Sequence, residues 1–113
     1  MDAGTLNRRI TLQSRAITQD STGGQVATWV DVATVWASIE PAAGKELLTA
    51  QSLRLDAPRT ITLRWQRAFA NPQAMAALRI KYGTRLFDII SSTDEHEEHR
   101  WLVLLCREGM SNG

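Results

Sequence analysis

One cysteine in 113 residues excludes an intrachain disulfide, so the fold has to hold without a covalent staple. Cys106 ends the apolar run Trp101-Leu-Val-Leu-Leu-Cys106, where a buried, reduced thiol is expected. An excess of either charge is missing too. Thirteen basic against twelve acidic residues leave a formal charge of +1, which creates no global field to gather nucleic acid or anionic lipid. No segment approaches the roughly 20 apolar residues that cross a bilayer, and Met1 to Arg15 carries charges throughout instead of a signal-peptide core. The expected location is the cytoplasm, unless a particle carries the protein out, and no membrane contact is expected. No glycine-rich loop precedes a helix as a phosphate cradle requires, and no serine, cysteine or lysine stands in a nucleophile motif. Catalytic and cofactor-binding residues are therefore not expected.

What is present suits one folded unit. The length fits a single domain over residues 1–113, since either half alone would be too small to bury a core. A 43% hydrophobic, 22% charged composition is that of an ordinary globular chain. Leu6, Arg8, Ile10 and Leu12 alternate with Asn7, Arg9, Thr11 and Gln13, the period-two pattern of a half-buried strand. Thr18 to Gly24 stacks turn residues and predicts an exposed loop. Strands are expected over Gln25 to Val30 and Thr34 to Glu40, with a turn at Asp31 to Ala33.

After Pro41 the residues from Lys45 to Leu53 suit one short helix, with Leu47, Leu48, Gln51 and Leu55 roughly on one side. Thr60 to Trp65 returns to alternation, and Leu53 to Leu55 is a candidate upstream extension across Pro58. Gln66 to Ala77 has no clear period, although Pro72 to Leu78 suits a helical turn. Arg79 to Tyr82, Gly83-Thr84 and Arg85 to Ser91 read as a hairpin, and a polar turn from Asp94 to His99 leads to a last strand, Arg100 to Arg107. The fold class is mainly β: a small antiparallel barrel or sandwich of about six or seven strands, with one short α-helix covering an open end. Ile10, Leu12, Val35, Ile39, Ile61, Leu63, Ile80, Phe87, Ile89, Leu102 and Leu104 are the expected core.

Three clusters invite a chemical reading. Asp94-Glu-His-Glu-Glu-His99 resembles the zinc-protease signature but sets His96 and His99 three apart in a turn, where convergence on a metal needs four on a helix. A solvated turn without a metal is expected. Trp29, Trp36, Trp65 and Trp101 have the chemistry of base-stacking platforms, yet each lies in a strand pattern beside aliphatic residues, which favours core or interface packing. Arg8, Arg9, Arg64, Arg79 and Arg85 are scattered among acidic residues, a pattern of solvated faces or interchain ion pairs more than of a phosphate track.

Gly4-Thr-Leu6 followed by Arg9-Ile-Thr-Leu-Gln13 resembles the opening of the head-tail joining, or head-closure, proteins of long-tailed phages and prophages. The likeness continues in order through Thr18, Asp20 and Gly23-Gly24, Trp29, Val35-Trp-Ala-Ser-Ile-Glu40, Gly44-Lys-Glu46 and Ala50-Gln51. It then takes in Thr60-Ile-Thr-Leu-Arg64-Trp65, Arg79-Ile80, Gly83, Arg85, Phe87-Asp-Ile89 and Leu102 to Glu108, so that order and spacing carry more than any one element. Trp65 stands where a tyrosine is usual, and the alanine-rich Gln66 to Ala77 departs from the family pattern.

The resemblance implies a structural connector component that assembles in the bacterial cytoplasm. It would sit in a ring below the portal or portal-adaptor protein after DNA packaging, help seal the filled head and offer a docking surface to the tail-completion protein. DNA would pass transiently, and an isolated subunit would be compatible with a monomer. Pro41 to Pro58 is the expected interface, with Lys45, Glu46, Gln51 and Arg54 as its candidate subunit or portal contacts, because so short a helix is marginal in water unless something completes it. Capping of the barrel is the competing role for that segment. A small β-barrel that binds nucleic acid is the rival function, opposed by the balanced charge and the lack of an aromatic-basic array.

Overall fold

The computed structural model describes residues 6–109. Gly4 and Thr5 of the opening motif lie outside the described residues. The alternating segments become six strands: β1 (Arg8–Gln19), β2 (Gln25–Pro41), β3 (Pro58–Arg64), β4 (Arg79–Tyr82), β5 (Arg85–Asp94) and β6 (Trp101–Gly109). All pair antiparallel in the order β1-β2-β3-β6-β5-β4, and β4 returns to β1, so one sheet closes into a barrel. Closure removes free edges from the wall and gives every strand an inner and an outer face.

The inner face is apolar. Ile10, Leu12, Ile61, Leu63, Ile80, Phe87, Ile89, Leu102 and Leu104 are buried together, and Val35 and Ile39 pack against them half-buried. The eleven expected core residues thus meet in one interior. Cys106 joins them fully buried, and burial pushes its thiol far above the ordinary value. Ala37, Phe69 and Met75 belong to the same cluster.

Several boundaries differ from the sequence expectation. Where Asp31 to Ala33 predicts a turn, β2 runs on. Leu12 faces Ala33 and Gln13 faces Asp31, so Val32 is the extra residue of a bulge. A bulge absorbs one unpaired residue without ending the ladder. Consequently β1 continues through Thr18 and Gln19, and the expected loop shrinks to a tight hairpin turn at 20–24. Asp20 organises that turn. Its Oδ1 accepts from the Thr22 hydroxyl (2.8 Å) and from the Thr22 and Gly24 amides (2.9 and 2.7 Å), while Gly23 takes φ 86°. These bonds, the Thr22 hydroxyl first, hold the Asp20 carboxyl below its ordinary value.

Past the bulge the two strands pair only with each other. β4 meets β1 from Thr11 to Gln13 and β3 meets β2 from Ala37 to Pro41, so 14–19 and 25–31 form a two-stranded arm leaving the barrel. The molecule is accordingly elongated, 50 × 30 × 25 Å.

The helix α1 (Gly44–Ser52) matches its expected position but does not cover an open end. Ala50 packs with Ala42 and Leu105, flanked by Leu47, Leu55 and Ile90, in a cluster separate from the interior. Leu105 pairs with Thr60 next to the inward pair Leu104 and Ile61, so its side chain is on the outer wall. Leu48 turns away, 68% exposed, against the expectation that it shares a side with Leu47. Leu53 to Leu55 does not extend β3; it forms the end of the helix.

Closure of the barrel comes from the stretch without a period. Gln66 to Ala77 folds as a 3₁₀ turn (Arg67–Phe69) and a second helix, α2 (Pro72–Ala76), started by Pro72 and by Asn71, whose Oδ1 accepts from the Gln73 and Ala74 amides. Phe69 and Met75 project from these turns into the interior cluster.

Candidate functional site

The segment from Pro41 to Pro58 is a strap across the outer wall, tied at its ends by the Ala42 amide donating to the Pro58 carbonyl (3.3 Å). At about 3.6 residues per turn, Glu46 and Gln51 fall on opposite flanks of the buried Leu47–Ala50 stripe, and Lys45 lies on the crown with Leu48. Lys45, Gln51 and Arg54 are exposed and Glu46 is half-buried. The four candidate residues share one strap but do not converge on one point. Glu46 edges a cleft of about 240 Å³ with Glu40, Thr60, Thr62, Glu95 and Val103.

Arg54 is the C′ residue of this helix. Its amide donates to the Gln51 carbonyl (3.1 Å), the Leu55 amide donates to the Ala50 carbonyl (3.0 Å), and its φ is 54°. This is the Schellman arrangement, with arginine in the left-handed position that glycine ordinarily fills. The strap therefore shows Leu48, Leu53 and Arg54 to solvent beyond what its own packing requires.

A second surface follows from side-chain parity on the outer wall. Arg9 pairs with Trp36 across β1 and β2, and Arg64 with Trp101 across β3 and β6. Because Ala37 faces Leu63, Trp36 and Arg64 are also neighbours, so arginine and tryptophan alternate across four adjacent strands. The Arg9 guanidinium lies 5.3 Å from the centre of the Trp36 ring and that of Arg64 5.4 Å from Trp101. Trp101 is buried, whereas Trp36 is 51% exposed on the outer wall, so of the expected core or interface positions Trp36 does not take the core one. Trp36, Leu6, Val35, Arg64 and Gln66 line a groove of about 450 Å³.

The arm has its own anchor. Gln13 donates to Asp31 Oδ1 and accepts from Arg79 Nε, both at 2.8 Å, and the Arg79 guanidinium stacks 4.2 Å over the half-buried Trp29. Burial lowers the Arg79 pKa. The other arginines are engaged within the chain as well: Arg85 forks onto Glu108 (2.8 and 3.0 Å) and Arg8 donates to the Tyr82 hydroxyl (3.3 Å). These contacts are intrachain.

In the polar turn after β5, Asp94 accepts from the His99 amide (3.0 Å) and lies 2.9 Å from His99 Nδ1, while the His99 ring packs against Trp65 with centroids 4.3 Å apart. The His96 side chain lies outside the described residues. Among the described residues no three His, Cys, Asp or Glu side chains gather as metal ligands, and no helix is long and apolar enough to cross a membrane.

No curated protein matches the chain. Among solved structures it is similar to protein SF1141 from Shigella flexneri 2a, in a solution structure, at 31% identity over 99% of this chain and 100% of that one, with a TM-score of 0.72. It shares its fold with a chain of the virion of a native gene transfer agent particle, at 23% identity over 94% and 97% of the two chains and a TM-score of 0.59. The family model for the phage head completion protein matches residues 1–109, and the chain belongs to that family.

Proposed function

We propose that this chain is a head-closure adaptor of the phage particle. It binds in a ring below the portal or portal-adaptor protein once DNA is packaged, helps to seal the head, and presents a docking surface to the tail-completion protein. Its work is contact, with no turnover and no cofactor. The observation that carries this reading is the strap: a helix bound to the outer wall by one stripe, with Leu48 and Leu53 exposed beside Lys45, Gln51 and Arg54. Exposed apolar side chains rimmed by polar ones are the composition of a protein contact. The near-zero charge suits a channel through which DNA moves without being gripped.

Replacing Glu46 or Gln51 by arginine tests the strap. Gln51 is exposed, and a change there alters stability by about 0.5 kcal/mol or less, so folding persists while incorporation into DNA-filled heads is lost. For the half-buried Glu46 the same loss counts when unfolding of the purified variant matches wild type. Arg54→Gly sharpens the test, because glycine relieves the left-handed backbone and stabilises the fold by about 1 kcal/mol, yet removes a contact and lowers incorporation. Normal incorporation and DNA retention in all three variants would retire the strap as an interface, and loss of folding would assign it to the core alone.

A further inference from the structure

Among the described residues, the outer part of the β1–β2 arm has no cover. Ile17 and Ala27 pair on one face, while Val26 and Val30 lie on the other beside Thr18 and Ser14. Ile17 is 62% exposed, and Val26, Val30 and Val32 are exposed as well. Beyond the Trp29–Arg79 stack at its base, the ribbon is uncovered on both faces and open at both edges, which is marginal in water and invites pairing. An arm that served only as a lid for its own barrel would bury one of these faces.

The same chain carries a matching recess. The groove beside Trp36 has apolar walls from Leu6, Val35 and Trp36, and Arg64 at its rim with Arg9 stacked behind. The arm tip holds the opposite charge, the Asp20 carboxylate that its turn keeps ionised. Reach agrees too. Six residue steps from Gln13 to Gln19 at about 3.4 Å each carry the tip roughly 20 Å, against a molecule whose two shorter dimensions are 30 and 25 Å. The arm of one barrel spans most of the width of another set beside it.

We infer that the arm of one copy seats in the Trp36 groove of a second copy of this chain. The two surfaces differ, so the contact is head-to-tail, the kind that repeats around an axis. Tryptophan and arginine in the recess are the residue types that dominate interface energetics. The inference rests on the head-closure reading for its ring and adds which surfaces close it.

The test uses particles made from the genome that encodes this chain, with a variant carrying both Val26→Cys on the arm and Gln66→Cys in the groove. The native Cys106 is fully buried and leaves a low background. A short bismaleimide should give a ladder of covalent multimers beyond the dimer, absent from either single variant. Ile17→Asp, with unchanged unfolding of the purified protein, should reduce incorporation into particles by roughly tenfold or more. Chain present in particles but cross-linked no further than dimer, or Ile17→Asp incorporated like wild type, would overturn the arm-in-groove contact and leave head closure standing. Chain absent from wild-type particles would overturn head closure and the contact together.

Discussion

Glu108 accepts two bonds from the Arg85 guanidinium, which hold its carboxyl below the ordinary value and raise that of Arg85. A carboxylate with a depressed folded-state pKa stabilises the fold fully above the unfolded value, about 4.3 for glutamate, and ceases to do so as pH falls through the folded value. Both side chains are partly exposed, 41% and 29%, so solvent screening limits the pair to about 1 kcal/mol or less. Glu108→Gln should therefore cost up to that amount at pH 7. The difference from wild type should shrink on acidification below about pH 4, as followed by urea unfolding across pH. A gap that persists at low pH would mean that packing, not charge, is the source.

At the scale of elements, Gln66 to Ala77 matters more to stability than its composition suggests. Phe69 is 3% exposed and Met75 1%, both inside the cluster that every strand shares. Phe69→Ala should cost about 3–5 kcal/mol, the range for emptying a buried aromatic site. Leu48→Ala, on the open side of α1, should stay within about 0.5 kcal/mol. Equal effects in thermal or urea unfolding would contradict the assignment of the segment as the barrel's closure and of Leu48 as an outward residue.

The whole molecule pairs one cooperative body with one appendage. Ile10, Ala37, Ile61, Ile80, Phe87 and Leu104 bring all six strands into a single interior. Tryptophan fluorescence and far-UV circular dichroism should accordingly report one coincident unfolding transition, as expected of a small domain. Arm amides at 14–19 and 25–31, whose hydrogen bonds depend on a bare ribbon, should exchange with solvent through local opening well before those of β3 and β6. Two separate transitions would divide the chain into units that the shared interior does not foresee.

How much of this was legible beforehand follows from which interactions are local. Alternation in β1 and β3 determined which side chains face inward, because side-chain direction reverses at every residue whatever the tertiary partners are. The Gly83 hairpin, the buried Cys106 and the helix after Pro41 were readable for the same reason, as was the likeness to head-closure proteins in the order of short motifs. The bulge at Val32 was not, since Asp31-Val-Ala33 carries turn-like and strand-like preferences at once and only a partner strand decides between them. Phe69 and Met75 show no periodicity because they fill an end of the barrel from short turns, a position that exists only after closure. The alternating Arg9, Trp36, Arg64 and Trp101 come from four strands distant in sequence. Parity alone puts each of them outside; the register between strands, set by the packed interior, is what puts them side by side.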